Sequence, residues 1–295
     1  MRIERHFQSE GFWALKPEWN DLLRRSYYDN LFLTWEWQST WWKHLGEGDL
    51  VLLGFRGGED GRLVGIVPFF CAADGGGHSI LSLVGCRDVS DYLDLIIERG
   101  QEEAVYRALL DYLKDGAPDW DVVDLCNIPQ ASPTSAVLRA LAESQGFQTL
   151  VEVEDVCPII PLPATWDEYL MSLDKKQRHE VRRKLRKADG AADTRFAIVG
   201  PDRDLDAEMH DFIDLHQKST PEKDLFMEPR MQEFFIEVAR ELQACGWLQL
   251  VFVEMDGHKA ASLLNFDYGD SILVYNSGYD PQRFRHLSPG IVVTA

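Results

Sequence analysis

The 295-residue sequence lacks the residue patterns that mark several functional classes. Its five cysteines are widely spaced without a C-x-x-C pair, which argues against a zinc knuckle or a thioredoxin-like site. No G-x-S-x-G motif occurs, so a Ser/His/Asp hydrolase is unsupported. The eight histidines show no H-x-x-x-H spacing, and we expect no metal. The cysteines are accordingly expected to be buried, reduced thiols.

Long apolar runs are also missing. The first 19 residues contain no apolar stretch of the kind that a signal peptide needs. No window approaches the roughly 18–20 apolar residues of a membrane-spanning helix. The sequence therefore predicts a cytoplasmic protein without a membrane span.

Positive charge is scarce and strongly concentrated. The chain has 49 acidic and 30 basic residues, a net charge of −19, which argues against a general DNA or anionic-membrane binder. The stretch 174–187 carries eight Lys or Arg residues against two acids, and the rest of the chain has a net charge of −25. An anionic ligand must therefore bind at this basic stretch or at Arg283 and Arg285.

The hydrophobic pattern alternates between helices and strands and contains an internal repeat. Residues 50–70 and 248–268 each predict a strand, an Asp-Gly hairpin turn and a second strand, preceded by helices. Strands are also predicted at 92–97, 147–153 and 157–162, and one long basic helix at 166–188. A helix at 34–45 with Thr34 as its N-cap carries tryptophans that we expect mainly in the core. The second repeat lacks a closing helix and strand, so that half of the chain is expected to be incomplete.

A loop near the end of the chain has the residues of a phosphate-binding turn. Arg285, Ser288 and Gly290 precede an apolar run that begins at Ile291, and Gly290 permits close approach of a ligand to the backbone. Backbone N–H groups at the start of a helix bind phosphates, and Arg283 and Arg285 would offset the acidity of the chain. A plain helix start remains the alternative.

Together these segments resemble the GNAT acyltransferase superfamily, whose pyrophosphate loop is a Gln/Arg-x-x-Gly-x-Gly/Ala run. The wider pattern is similar to the double-GNAT, FemAB/CelD-like bacterial acetyltransferases, on segments that include WDEYLMSLDKKQRHEVRRKLRKA at 166–188 and NSGYDPQRFRHLSPG at 276–290. The resemblance implies a mixed-sheet α/β (α+β) fold of two tandem GNAT-like domains, 1–155 and 156–295. It also implies acyl transfer from acetyl-CoA, or another acyl-CoA, to the amine of a small molecule or cell-envelope precursor. The family's His-Gln-x-Arg-Trp pattern loses its aromatic residue here.

The catalytic candidates lie at three places. Asp91, Tyr92 and Asp94 fall at the predicted 92–97 strand, whose alternation would put Tyr92 and Asp94 on one face and Asp91 on the other. A turn or edge-strand position is the plainer role for Asp91 and Asp94. His216 is a candidate base, with a helix-surface histidine as the alternative, and Tyr279 is a candidate proton donor to the thiolate. The acceptor is expected in the cleft between the domains.

Two other functions remain open on the sequence. Eight cations at 174–187 could contact tRNA phosphates, and the FemAB branch includes enzymes that take amino acids from aminoacyl-tRNA. The helix has no interleaved aromatic residues for base stacking, and a solvated helix face is the simpler alternative. The departures from the family pattern, and the early end of the second repeat, also leave a catalytically degenerate binding module open.

Overall fold

A computed structural model describes residues 1–86, 89–117 and 119–295. The chain forms two compact units, Met1–Glu154 and Asp155–Ala295, each with its own sheet. In the described part of the chain, no helix is both long and apolar enough to cross a membrane.

The first unit is a mixed sheet with helices packed on it. Its strands are β1 Arg2–His6, β2 Asp49–Gly57, β3 Arg62–Ala73, β4 Ser79–Leu83, β5 Ile96–Ile97 and β6 Val122–Asp124. Its helices are α1 Glu10–Arg25, α2 Trp35–Leu45, α3 Glu102–Asp115 and α4 Arg139–Ser144, with a 3₁₀ turn at Leu31–Leu33 and a π turn at Thr134–Leu138. The sheet order is β1-β2-β3-β4-β6, with β5 beside β3; β4 and β6 run parallel and the other pairs antiparallel.

The predicted hairpin and helix cap of this unit are confirmed. Strands β2 and β3 pair antiparallel across a turn in which Gly61 has a φ of 67°. The Thr34 hydroxyl accepts the Trp37 N–H at the start of α2. Trp35, Trp37 and Trp41 are at most 5% exposed, so these tryptophans belong to the core.

The predicted strand at 92–97 is wrong except for Ile96 and Ile97. The Leu93 N–H donates to the Asn127 carbonyl at 3.0 Å, and the Asn127 side chain donates to the Ser90 carbonyl at 2.5 Å. The backbone of this segment therefore bonds to a loop instead of a neighbouring strand. The face alternation expected for Asp91, Tyr92 and Asp94 does not apply.

The strands predicted at 147–153 and 157–162 are also absent from the structure. The apolar side chains of this segment are exposed, for example Leu150 at 82% and Ile159 at 85%. Three prolines lie at its end, and each removes a backbone N–H that a ladder would need. Strand propensity without a paired neighbour does not produce a strand here.

The expectation of buried, reduced cysteines is wrong for most of the five. Cys86, after β4, and Cys126, after β6, form a disulfide with their Cα atoms 6.0 Å apart. Cys157 and Cys245 are exposed and lie outside the disulfide, and Cys71 is partly buried. The parallel strands β4 and β6 bring together two cysteines that are 40 residues apart in the sequence.

The second unit is a four-stranded antiparallel sheet between two layers of helices. Its strands are β7 Thr194–Ile198, β8 Leu248–Met255, β9 His258–Tyr268 and β10 Ser271–Tyr279. Its helices are α5 Trp166–Ser172, α6 Lys175–Ala191, α7 Leu205–Ser219, α8 Pro221–Phe226, α9 Pro229–Ala244 and α10 Pro289–Thr294, with a 3₁₀ turn at Arg285–Leu287. The sheet order is β10-β9-β8-β7, so β10 lies at one edge.

Strand alternation distributes the core of this unit over both faces of the sheet. Val253 of β8 and Leu263 of β9 pack with Ala188 of α6 and Val292 of α10. Helices α7 and α9 pack on the sheet as well, and the Phe235 ring of α9 lies 6.0 Å from Tyr275 of β10. The repeat holds at the level of topology, since β7-β8-β9-β10 follows the same antiparallel order as β1-β2-β3-β4.

The single basic helix predicted at 166–188 is wrong, because the chain breaks between α5 and α6. Asp174 caps the second helix, its Oδ1 accepting the Gln177 N–H at 2.8 Å. The Arg178 guanidinium reaches back and donates to the carbonyls of Leu170 and Leu173, each at 3.3 Å, at the end of α5. An N-cap residue inside an otherwise helical pattern therefore starts a second helix.

Candidate active site

The edge strand β10 contains one extra residue. Val274 pairs with Asn265 of β9, and Asn276 pairs with Leu264, which leaves Tyr275 as a β-bulge. Among the described strands, none pairs with the outer edge of β10. An unpaired strand edge presents backbone N–H and C=O groups that can bind an extended ligand.

Helices α7 and α8 hold the two residues that follow the bulge. His216 Nε2 lies 3.2 Å from the side-chain oxygen of Asn276. The Lys223 ammonium donates to the backbone carbonyl of Ser277. Both contacts join a helix residue to β10 across more than 50 positions of sequence.

The next two residues are held by α7 itself. The Tyr279 N–H donates to Ser219 Oγ at 2.9 Å, so it points away from β9. At Gly278 the backbones touch, since a Cβ there would lie 2.4 Å from His216 N and 2.5 Å from the carbonyl carbon of Leu215. Glycine is required here for close approach of the helix to the strand.

His216 is buried and uncharged. It is 1% exposed, with the rings of Phe212 and Phe226 about 6 Å away, at 5.8 and 6.1 Å. Burial, with the nearby charge of Lys223, lowers its pKa to about 4. Because the amide oxygen of Asn276 can only accept, Nε2 carries the hydrogen and Nδ1 the lone pair. Nδ1 is buried and has no hydrogen-bond partner among the described residues.

The turn before α10 has some of the features of an anion-binding loop. Ser288 adopts a left-handed conformation, with φ 56° and ψ 52°, which glycine favours. Pro289 has no N–H, and the N–H groups of Ile291 and Val292 donate to the Ser288 carbonyl. The position of a Cβ on Gly290 is open, with nothing within 4 Å. The Gly290 N–H is therefore the backbone donor that this turn offers to a ligand.

The basic helix α6 is joined to this turn. Lys187 Nζ donates to the backbone carbonyl of His286 at 2.7 Å. Ala188 and Leu185 of the same helix pack in the cluster that contains Leu287. The side chains of Lys187, Arg283 and Arg285 are all exposed. The two basic segments, joined by a contact between residues 99 positions apart, are neighbours in the fold.

Several cations on α6 are paired with acids. Arg183 and Lys184 lie 2.7 and 3.6 Å from Glu180, and Arg182 lies 4.0 Å from Asp167. These pairs are largely exposed and are worth little individually. They nevertheless reduce the positive charge that the middle of the helix presents to a partner.

The candidates of the first unit differ sharply in environment. Asp94 is 3% exposed, and its carboxylate accepts from Ser132 Oγ and Thr134 Oγ1, both at 2.5 Å. Burial raises the pKa of this carboxyl, against those hydrogen bonds. Asp91 is exposed, and the Tyr92 ring lies 6.3 Å from Phe32. The Asp94 carboxylate thus ties its loop to the segment before α4.

The comparisons with known proteins agree with this geometry. A family model described as an acetyltransferase (GNAT) domain matches residues 175–295. The second unit contains a GNAT acetyltransferase domain. The match supports acyl transfer as the chemistry of this domain, and the matched residues include the β10 edge, the turn before α10 and helix α6.

Solved structures extend the fold to the whole chain. The crystal structure of FemX is 14% identical, with 99% of this chain and 83% of that chain covered and a TM-score of 0.62. A conserved protein of unknown function from Bacteroides thetaiotaomicron VPI-5482 is 13% identical over the same shares, with a TM-score of 0.52. These similarities show a GNAT/FemAB-like fold. No curated protein matches the sequence.

The GNAT domain brings together some of the predicted site residues and separates others. His216, which lies on α7, contacts Asn276 on one face of β10. The Tyr279 side chain packs instead with the cluster formed by α6 and α10. The helix-surface alternative for His216 is wrong, because the side chain is buried. In the described part of the chain, no group of three or more His, Cys, Asp or Glu residues could hold a metal ion.

Sequence reasoning missed two polar residues of the GNAT domain. Asn276 lies in β10 next to the bulge, and Lys223 contacts β10 at Ser277. Asn276 lies in the quoted family-like segment, which was the available signal for it. Lys223 had none, because the short helix α8 that carries it was not predicted.

Proposed function

We propose that the enzyme transfers an acetyl group from acetyl-CoA to the amine of a small molecule or a cell-envelope precursor. The observation that carries the proposal is the combination, in one GNAT domain, of an open bulged edge on β10 with a cationic turn before α10. A cytoplasmic location, where an acyl-CoA would be met, stays a prediction.

The donor's phosphates are assigned to the turn. Arg283, Arg285 and Lys187 supply exposed positive charge in a chain whose net charge is −19. The Gly290 N–H adds a backbone donor beside an open space. Ile291, at the start of the helix, is 42% exposed and could contact the donor. Phosphate groups are bound by such combinations of cationic side chains and backbone N–H groups.

The extended, amide-containing arm of CoA is assigned to the outer edge of β10. An edge strand binds an extended ligand through main-chain hydrogen bonds. Lys223 and Ser219 occupy this edge at Ser277 and Tyr279, so the edge on the other side of the bulge, 272–275, is the part assigned to the donor. Val274 there is 63% exposed.

The chemistry requires the acceptor amine to attack the thioester carbonyl, lose a proton and release the thiolate, which gains one. His216 is neutral at pH 7 and stays a candidate base, but its Nδ1 is buried, so proton transfer from an acceptor amine would require the side chain to become accessible. Tyr279 stays a candidate donor to the thiolate. In the first unit the Asp94 carboxylate accepts from two hydroxyl groups, and Asp91, Tyr92 and Asp94 stay candidates.

Calorimetric titration of CoA into the full chain tests the donor assignment. We expect wild type to bind CoA and Arg285→Ala to weaken binding by about tenfold, because a charge-assisted contact to phosphate is lost. Arg195→Ala is the matched control, since Arg195 is exposed on β7, at the opposite edge of the same sheet. Absence of CoA binding to wild type would refute the proposal.

Aminoacyl-tRNA as the donor is the second candidate, favoured by the connection of α6 to the turn. The prediction is salt-dependent tRNA binding that collapses when Arg182 and Arg183 are both replaced by Glu. CoA binding should be insensitive to that double substitution. Salt-independent or absent tRNA binding rejects this candidate.

A further inference from the structure

The bulge in β10 must be fixed in place for the strand edge to form a defined site. An extra residue in one strand can in principle lie at neighbouring positions, and each shift by one residue turns the side chains to the other face. In β10 it lies at Tyr275. Structural contacts on each side of Tyr275 must therefore fix the pairing register of β10.

The side before the bulge is held by a tight turn. Tyr268 pairs with Ser271 across Gly269 and Asp270, and Gly269 has a φ of 64°. A two-residue turn of this kind fixes the register of the strands that it connects. The side after the bulge has no such turn, and there the polar contacts from α7 and α8 hold the strand.

The side after the bulge is held by α7 and α8. Among its contacts, the one from Lys223 to the Ser277 carbonyl brings a charged group to the strand edge. Lys223 is partly buried, and burial lowers its pKa, so the ammonium loses hydration to make this contact. An apolar side chain there would leave the carbonyl without the partner that it now has.

We propose that Lys223 is a positioning residue, which fixes the bulge at Tyr275 and so shapes the 272–275 edge for the acyl donor. The inference rests on the proposed function. Lys223 acts through Ser277, two residues beyond the bulge, and contacts neither end of the donor-binding edge directly.

Hydrogen exchange and CoA titration on the full chain test the inference together. In Lys223→Met we expect amide exchange at 272–275 to rise at least tenfold and the Kd for CoA to rise about tenfold. Lys223→Arg, which keeps a cationic donor, should recover most of both effects. Lys218→Met is the matched control, since Lys218 pairs with Asp214 on the exposed side of α7.

The outcomes separate positioning from general stability. A lower melting temperature with unchanged exchange at 272–275 and unchanged Kd would overturn the inference, because the contact would then be merely structural. Equal effects in Lys218→Met would overturn it as well. If wild type fails to bind CoA, the proposed function fails, and the exchange measurement still decides whether Lys223 fixes the bulge.

Discussion

The contact between α7 and β10 at Gly278 allows a quantitative prediction. A Cβ at this position would lie 2.4 Å from His216 N, 2.5 Å from the Leu215 carbonyl carbon and 2.9 Å from His216 Cα. All three atoms are backbone, so no side-chain rotation can relieve the overlap. Insertion of atoms into a packed site costs typically about 1–3 kcal/mol, and we expect Gly278→Ala to lie at the upper end, at about 3 kcal/mol.

The perturbation should be visible locally. Since about 1.4 kcal/mol is a tenfold change, a loss of about 3 kcal/mol lowers hydrogen-exchange protection of the 276–279 amides by more than a hundredfold. Mass spectrometry of peptides from the full chain measures this protection. Tryptophan fluorescence is a poorer probe of this unit, because it contains only Trp166 and Trp247 of the nine tryptophans.

Gly190→Ala is the matched control. Gly190 lies in α6, and nothing lies within 4 Å of the position of its Cβ. Alanine in a helix is favoured over glycine by roughly 0.5–1 kcal/mol, so this variant should be slightly more stable than wild type. If Gly278→Ala keeps its protection at 276–279 within threefold of wild type, the close-approach argument is refuted.

Two further predictions concern His216 and Ser288. Folding lowers the pKa of His216 from its ordinary 6.5 to about 4, so the unfolded chain becomes protonated at a higher pH than the folded chain. The free energy of unfolding should therefore decrease as the pH falls from 6.5 to about 4. Urea titrations should show a decrease of at most about 3 kcal/mol that His216→Phe removes and a substitution of the exposed His258 does not. Ser288→Gly should raise stability by about 1 kcal/mol, because glycine adopts the left-handed conformation without strain, while Ser288→Ala should not; equal melting temperatures would contradict this.

Local patterns determined most of the elements around the site. The alternation of apolar residues and the Asp256-Gly257 pair predict the β8–β9 hairpin, and both turn residues have positive φ, as that turn requires. The Arg285–Gly290 turn was also predictable from its resemblance to the family's loop pattern. Ser288, which stands where that pattern has glycine, adopts the left-handed conformation that glycine favours. Such features depend on neighbours a few residues apart.

Local patterns failed where long-range contacts decide. The apolar segment 147–162 has strand propensity but no ladder partner, and the loop at 90–95 bonds to Asn127 instead of a strand. The break before α6 depends on the Asp174 cap and on Arg178 reaching back to α5. Propensity is a weak prior that such contacts override.

The sequence by itself determined that positive charge is concentrated in two segments and that the repeated hairpin resembles a GNAT unit. Only the tertiary structure decided that Lys187 joins those segments, because no local pattern links residues 99 positions apart. The same holds for the contacts of His216 and Lys223 with β10. A helix and a strand edge meet there since Gly278 has no side chain, and this proximity is a property of packing.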